Sequence, residues 1–157
     1  MPKPAKNLWD AIVTWDNLVQ AAKDASRHKR FHGDVLRFNA RREEHLIALR
    51  EQLCAGTWKP GPFREFVIYE PKRRVIHAPA FSDRVVHHAL IRVIGPFFER
   101  RFIDHSFACR VGKGTHAASL YLSHMLQSAA VSGPVFVLKA DVTNYFIPLT
   151  TKPCWTS

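Results

Sequence analysis

Apolar positions recur at helical spacing through the first third of this 157-residue chain. Over residues 7–25, and again over 34–54, apolar side chains return every three or four positions, as they do along one face of a helix. Gly56 is placed to end the second helix, because glycine is the usual residue just after a helix C-terminus. The proline-containing segment 57–62 then favours a rigid turn. The pattern therefore predicts two long amphipathic helices before a sharp change of direction.

A strand-like pattern follows this turn. Residues 66–69 and 75–77 are short runs of β-branched and aromatic side chains, which favour strands. Between them lie a proline and three consecutive cations, Lys72, Arg73 and Arg74, in a segment typical of a turn. The sequence predicts a β-hairpin with a basic tip. We expect this hairpin to pack against helices and not to extend a large sheet.

Helical spacing returns beyond the hairpin. It predicts a third helix over about 83–101, capped by Ser82-Asp83, and a fourth helix over about 115–127. After a glycine–proline turn signal, the apolar run 136–140 has the composition of a buried strand and ends at Asp141. A carboxylate at the end of a buried strand is costly unless it is paired or holds a cation. A turn or helix-cap aspartate is the simpler alternative for Asp141.

The charge distribution points to an anionic partner. The net charge is +10, and residues 72–113 contribute nine basic and three acidic side chains, a net of +6. Six of these nine cations form three groups separated by predicted elements: the hairpin tip, Arg84 at a helix start, and the pair Arg110 and Lys113 before a helix. Arginine forks and helix N-termini bind phosphate well. The alternative is a basic face that serves solubility alone.

Other features of the composition favour an intracellular protein. The three cysteines, Cys54, Cys109 and Cys154, are far apart and odd in number, which predicts free thiols and a cytoplasmic location. Cys109 is expected to be a small buried side chain. No apolar run approaches the ~20 residues of a membrane span, so we expect no membrane association.

Residues 58–146 resemble the N-terminal part of bacterial reverse transcriptases, the RNA-directed DNA polymerases of diversity-generating retroelements, retrons and group II introns. The segments that carry the resemblance, in the order shown by that family, are WKPGPF (58–63), YEPKRRVI (69–76), FSDRVVHHAL (81–90), FFERRFI (97–103), SFACRVGKGTH (106–116) and VLKAD (137–141). Six segments in register are far more specific than any single short motif.

The resemblance implies an α+β fold, helix-rich with a basic β-hairpin: the fingers subdomain and first palm strand of a right-hand polymerase. Residues 1–56 would be an N-terminal helical extension, 57–134 a fingers-like region, and 135–157 the start of the palm. The implied activity is nucleotidyl transfer with Mg²⁺ as the cofactor. The implied partners are an RNA template or RNA/DNA duplex and a deoxynucleoside triphosphate.

The resemblance also implies three sets of site residues. The catalytic and metal-binding set is Asp141, with Val142 as a further metal ligand. The nucleotide-binding set is Lys72, Arg74 and Phe146. The set near template or phosphate is Arg73, Arg84, Arg110 and Lys113.

The chain departs from the family after Phe146. Members supply further metal-binding carboxylates from a downstream Tyr-x-Asp-Asp hairpin, but Asp141 is the only acidic residue of this sequence beyond Asp104. The segment 147–157 does not follow the family pattern either, which leads us to expect a truncated or frameshifted polymerase, inactive alone. Three alternatives stay open: a non-catalytic RNA-binding module, the N-terminal piece of a split polymerase completed by a palm and thumb chain, and a structural protein with a basic surface.

Overall fold

The computed structural model describes residues 7–141. These residues form a helix-rich structure with one small antiparallel sheet. In chain order the elements are α1 (Leu8–Ile12), α2 (Trp15–Ser26), α3 (Gly33–Ala40), α4 (Arg42–Cys54), β1 (Arg64–Ile68), β2 (Arg74–Ala78), α5 (Phe81–Glu99) and α6 (Thr115–Ala130). The chain divides into two compact units, one up to Phe102 and one from Ile103. The functional segments 1–56, 57–134 and 135–157 were drawn from the resemblance and stay predictions.

Each of the two predicted N-terminal helices is broken into two. The first is interrupted after Ile12, where Thr14 has an extended backbone and its Oγ1 donates to the Ala11 carbonyl at 2.9 Å. The second is interrupted at Arg41, whose φ of −131° is outside the helical range. The prediction of continuous helices was wrong because the apolar spacing continues across both breaks.

All buried apolar side chains of residues 7–141 lie in the first unit. They are Ile12, Val13, Leu18, Ala21, Ala22, Ala25, Val35, Phe38, Leu46, Leu49, Leu53, Phe81, Val85, Val86 and Ala89. Small side chains face each other where α2 packs on α5, which lets the two helices approach closely. The hairpin connects two helices of this core, α4 and α5, and presents its basic side chains from there.

A polar cluster reinforces the packing of α1 and α2 on α5. Asn17 Nδ2 donates to the carbonyl oxygens of Ile12 at 2.9 Å and of Ala89 at 3.0 Å. Arg92 completes the cluster: its Nε donates to Asn17 Oδ1 at 3.1 Å, and its Nη1 donates to Asp24 Oδ2 at 2.7 Å. The polar groups of Asn17 are therefore satisfied where three helices meet, as partly buried polar side chains require.

The predicted end of the second N-terminal helix is confirmed. Gly56 has φ +68°, its N–H donates to the Leu53 carbonyl at 3.2 Å, and the Thr57 N–H donates to the Gln52 carbonyl at 3.0 Å. These two bonds and the left-handed glycine form a Schellman motif, which satisfies carbonyl groups at the end of α4.

The hairpin forms with Phe66 paired to Ile76 and with Ile68 paired to Arg74. Arg74 thus belongs to β2, and the turn comprises residues 69–73. Strand β1 is exposed throughout, and β2 is exposed except for partial burial of Ile76 and Ala78. The expectation that the hairpin packs against helices is therefore wrong for most of its length. Its two strands are the only sheet among the described residues.

Helix α5 begins two residues before the predicted start and runs through Pro96 without a break. The predicted cap was therefore wrong, because Ala80 holds the N-cap position and Ser82 lies inside the first turn, as does Asp83. The Asp83 side chain is buried, and its Oδ2 accepts the Gly61 N–H at 2.8 Å. This bond ties the turn before the hairpin to the helix after it.

The second unit, as far as residue 141, has no buried side chain. Helix α6 matches the predicted fourth helix and extends three residues further. The predicted buried strand over 136–140 is wrong: residues 134–141 are neither helix nor strand, and Phe136 and Leu138 are each 92% exposed. A strand needs a neighbour for its backbone hydrogen bonds, and none of residues 7–141 pairs with this segment.

Cys109 is also placed differently from the prediction. It is exposed, as is Cys54, and its backbone has φ +58° in the loop before α6. Cys154 lies outside the described residues. No helix formed by residues 7–141 is both long enough and apolar enough to cross a membrane.

Candidate nucleic-acid interface

The hairpin tip presents three cations to solvent. Lys72, Arg73 and Arg74 are exposed, and none of them forms an ion pair with another residue of the described range. Glu70 lies in the same turn but forms no ion pair with these cations, and the acidic residue of the paired strands, Glu65, is 3.1 Å from His77 at the other end of the hairpin. Unpaired, solvent-exposed cations on a projecting turn can contact successive phosphates without first breaking internal bonds.

Arg84 is held differently from the tip residues. It lies in the first turn of α5, where its Nη2 donates to Asp34 Oδ2 at 2.8 Å and its Cζ is 5.1 Å from the centre of the Phe81 ring. Its Nε is buried and has no hydrogen-bond partner. The guanidinium is therefore fixed in place, while its buried Nε–H is left without an acceptor.

The structure does not bring Arg84 to the hairpin tip. Arg84 lines a cavity together with Arg64 and Ala78, the pair that closes the open end of the hairpin. Four residue steps along the strand lead from this end to the Ile68–Arg74 pair, which corresponds to about 13 Å at ~3.3 Å per residue. Two distinct basic surfaces thus lie on the first unit.

Three residues of the second basic surface were missed by the sequence reasoning. Lys29, Arg37 and Arg64 line the same cavity as Arg84. Lys29 belongs to a conspicuous basic run at 27–30, but that run is equally typical of an exposed connector. Only the tertiary structure identifies which of these cations point to a shared space.

In the second unit, Arg110 and Lys113 organise the loop before α6. Arg110 Nη1 donates to the carbonyl oxygens of Ile103 and Ser106, both at 3.0 Å. Lys113 Nζ donates to the Asp104 carbonyl, and it lies 5.3 Å from the centre of the Phe107 ring. These contacts use part of the hydrogen-bonding capacity of both cations, so a structural role accompanies any contact with nucleic acid.

The residues of this chain do not fit the two-Mg²⁺ site that the resemblance implies. Asp141 is exposed, and Val142 and Phe146 lie outside the described residues. Among residues 7–141, no three His, Cys, Asp or Glu side chains are grouped so that they could hold a metal ion. A two-metal site needs several carboxylates, and the sequence after Asp141 contains no acidic residue. We therefore derive no catalytic step through Mg²⁺.

Comparisons with known proteins give three partial similarities and no matching family model. Protein YkfC of Escherichia coli (strain K12) is 29% identical over 111 residues, which are 68% of this chain and 29% of that protein. Nuclear intron maturase 1, mitochondrial, of Arabidopsis thaliana is 46% identical over 74 residues, 46% of this chain and 10% of the maturase. Nuclear intron maturase 2, mitochondrial, of the same plant is 32% identical over 89 residues, 46% of this chain and 12% of that maturase.

These similarities are consistent with a family related to reverse transcriptases. The chain spans less than a third of the length of each of these three relatives. The activities of these whole relatives can therefore be carried over to this chain only as a proposal.

Proposed function

We propose that this chain is an RNA-binding part of a reverse-transcriptase-related protein, equivalent to the fingers and the start of the palm. Six segments that resemble bacterial reverse transcriptases support it, and so do two relatives named as intron maturases, since group II introns belong to the same resemblance. In this proposal Lys72 and Arg74 also lie near an incoming deoxynucleoside triphosphate. The site of action is the cytoplasm.

The observation that carries the proposal is the unpaired basic tip of the hairpin. An RNA strand carries one negative charge per phosphate, and each neutralising contact releases bound counterions. The tip offers three such contacts at one end of the hairpin, two on the turn and one at the start of β2, on a chain whose net charge is +10. Contacts from lysine and arginine to phosphates carry no sequence information, so the binding should be independent of sequence.

Polymerisation needs more carboxylates than this chain holds. A complementary chain with a palm and thumb would bring them, along with the Mg²⁺ and the shaped duplex cleft. The proposal therefore assigns nucleotidyl transfer to such a complex and RNA binding to these 157 residues.

The test replaces Lys72, Arg73 and Arg74 together by alanine. We expect affinity for single-stranded RNA to fall about tenfold or more at low salt, and the slope of log Kd against log salt to flatten by about 2, at ~0.7 per lost contact. Fluorescence anisotropy with several unrelated RNA sequences measures both quantities. The loss should be similar for all the sequences.

A matched control removes three positive charges elsewhere, with Lys23, Arg27 and Arg41 changed to alanine. Arg27 and Arg41 are already paired with Asp24 and Glu44. The control should therefore bind RNA less than threefold more weakly than the unmodified chain. Surface cations that are already paired with a carboxylate contribute little further attraction to phosphate. Equal losses in the two triple variants would contradict a role for the tip.

A second candidate function is recognition of folded intron RNA without polymerisation. The names of the two maturases favour it. Competition between a folded group II intron RNA and an unstructured RNA of equal length distinguishes the candidates. Preference for the folded RNA at high salt would favour the second.

A further inference from the structure

A cleft of about 390 Å³ lies at the base of the hairpin, on the first unit. We call it the hairpin-base cleft. Its basic and acidic lining residues are Lys29, His32, Asp34, Arg37, Arg64 and Arg84. The apolar walls are formed by Phe66, Phe81, two prolines and two alanines. The cleft is thus built by the loop before α3, α3 itself, both strands and the start of α5.

The charges of the hairpin-base cleft do not balance. Four permanent cations surround one carboxylate, Asp34, and that carboxylate is already paired with Arg84 at 2.8 Å. Lys29, Arg37 and Arg64 form no ion pair with another residue of the described part of the chain. Cations that outnumber the acidic groups of a concave space attract an anion strongly, because a cleft focuses their field.

One of the cleft's arginines, Arg84, is held in place before any ligand arrives. It is positioned by Asp34 and by the Phe81 ring, and its buried Nε lacks an acceptor. Arg37 is an exposed residue of α3, and its guanidinium lies beside Gly33 at the start of that helix. A phosphate oxygen is a strong acceptor that can satisfy such a donor, and positioned guanidinium groups lose little entropy on binding it.

We propose that the hairpin-base cleft binds a phosphate group of an RNA backbone, as a second contact distinct from the hairpin tip. The RNA part of this inference rests on the proposed function. An RNA strand is favoured over a free phosphate because cleft and tip lie on one hairpin, so a single extended strand can contact both. The apolar wall around Phe66 also suits a ribose or base beside the bound phosphate.

The test uses single charge-removing variants of the whole chain. Lys29→Gln and Arg64→Gln remove exposed cations that line the cleft, and Lys23→Gln removes an exposed cation of α2 that does not. We expect each cleft variant to weaken oligouridine binding about threefold to tenfold and to flatten the salt slope by ~0.7, as for one phosphate contact. Lys23→Gln should stay within about twofold, and thermal unfolding checks that all three variants fold.

Combining a cleft variant with the triple tip variant tests whether the two contacts are separate. Independent sites give additive changes in binding free energy, so the combined loss should equal the product of the separate losses. Cleft variants that bind RNA as Lys23→Gln does would overturn the cleft proposal, while tip-dependent binding would leave the proposed function intact.

A titration with inorganic phosphate tests the cleft independently of RNA binding. The Nε–Hε resonance of Arg84 should shift on phosphate titration in the unmodified chain and in Lys23→Gln, and much less in Arg64→Gln. A saturable shift in a chain that does not bind RNA would refute the proposed function and assign the cleft to a free phosphate ester. No shift together with unchanged RNA binding in the cleft variants would refute the cleft.

Discussion

Asp83 links two parts of the first unit through a single side chain. It is 3% exposed, and its Oδ2 accepts the Gly61 N–H at 2.8 Å. Gly61 lies in the turn that leads into β1, and Asp83 lies in the first turn of α5, which follows β2. The bond therefore fixes both ends of the hairpin to the helical core. It also places a carboxylate near a helix N-terminus, where negative charge is stabilising.

Replacing Asp83 by alanine should lower the free energy of unfolding by about 2 kcal/mol, because the partly buried Gly61 N–H loses its carboxylate acceptor. Asp83→Asn keeps an acceptor oxygen and should lose less. Urea denaturation measures both values. The control is Asp10→Ala, which removes an exposed carboxylate from the first turn of α1. A loss no larger than that of the control would show that the Gly61 bond does not support the fold.

At the scale of single elements, a glycine just after a helix and a glycine inside a helix have opposite conformational requirements. Gly56 follows α4 with φ +68°, where a side chain would meet open space but the backbone conformation disfavours any residue with a Cβ. Gly95 lies inside α5 with an ordinary helical backbone, and a Cβ there would contact Ile91 Cγ2 at 3.7 Å. The same substitution at the two positions separates backbone strain from helix propensity.

Gly56→Ala should destabilise the fold by about 1 kcal/mol, because alanine in a left-handed conformation is strained. Gly95→Ala should stabilise it by up to about 1 kcal/mol, because alanine has the higher helix propensity and the added methyl has room. Thermal unfolding of both variants tests the pair. Shifts of the same sign would contradict the assigned helix end or the fit at Gly95.

For the whole molecule, the question is whether these 157 residues can polymerise DNA by themselves. We expect no primer extension by the purified chain in Mg²⁺ or Mn²⁺ on any template, and no change on Asp141→Ala. The reason is electrostatic: one carboxylate does not hold two metal ions, and neither the attacking hydroxyl nor the leaving pyrophosphate is then stabilised. Extension that depends on Asp141 would show that other ligands complete the site.

The complementary experiment adds a palm and thumb fragment from a related reverse transcriptase. If the resemblance assigns Asp141 correctly, the complex should extend a primer, and Asp141→Ala should abolish that activity. Activity that survives Asp141→Ala in the complex would refute the catalytic assignment. The RNA-binding tests would be unaffected by that result.

Local features of the sequence determined much of the first unit. Strand-forming runs on either side of a basic turn predicted the hairpin, and Gly56 predicted the end of α4 through its own backbone freedom. Periodic apolar residues predicted which segments are helical, since one face of each helix must be buried. The clustering of positive charge was also visible, because net charge depends on composition and not on packing.

Other features were decided only by tertiary structure. The helix breaks at Thr14 and Arg41 have no mark in the apolar spacing, since the buried face continues across them. The run 136–140 has strand composition but forms no strand here, because pairing requires a neighbouring strand. The hairpin-base cleft joins residues up to 55 positions apart, from Lys29 to Arg84. Which cations line the same cleft depends on how α3, α5 and the hairpin pack, and this packing cannot be deduced from local sequence.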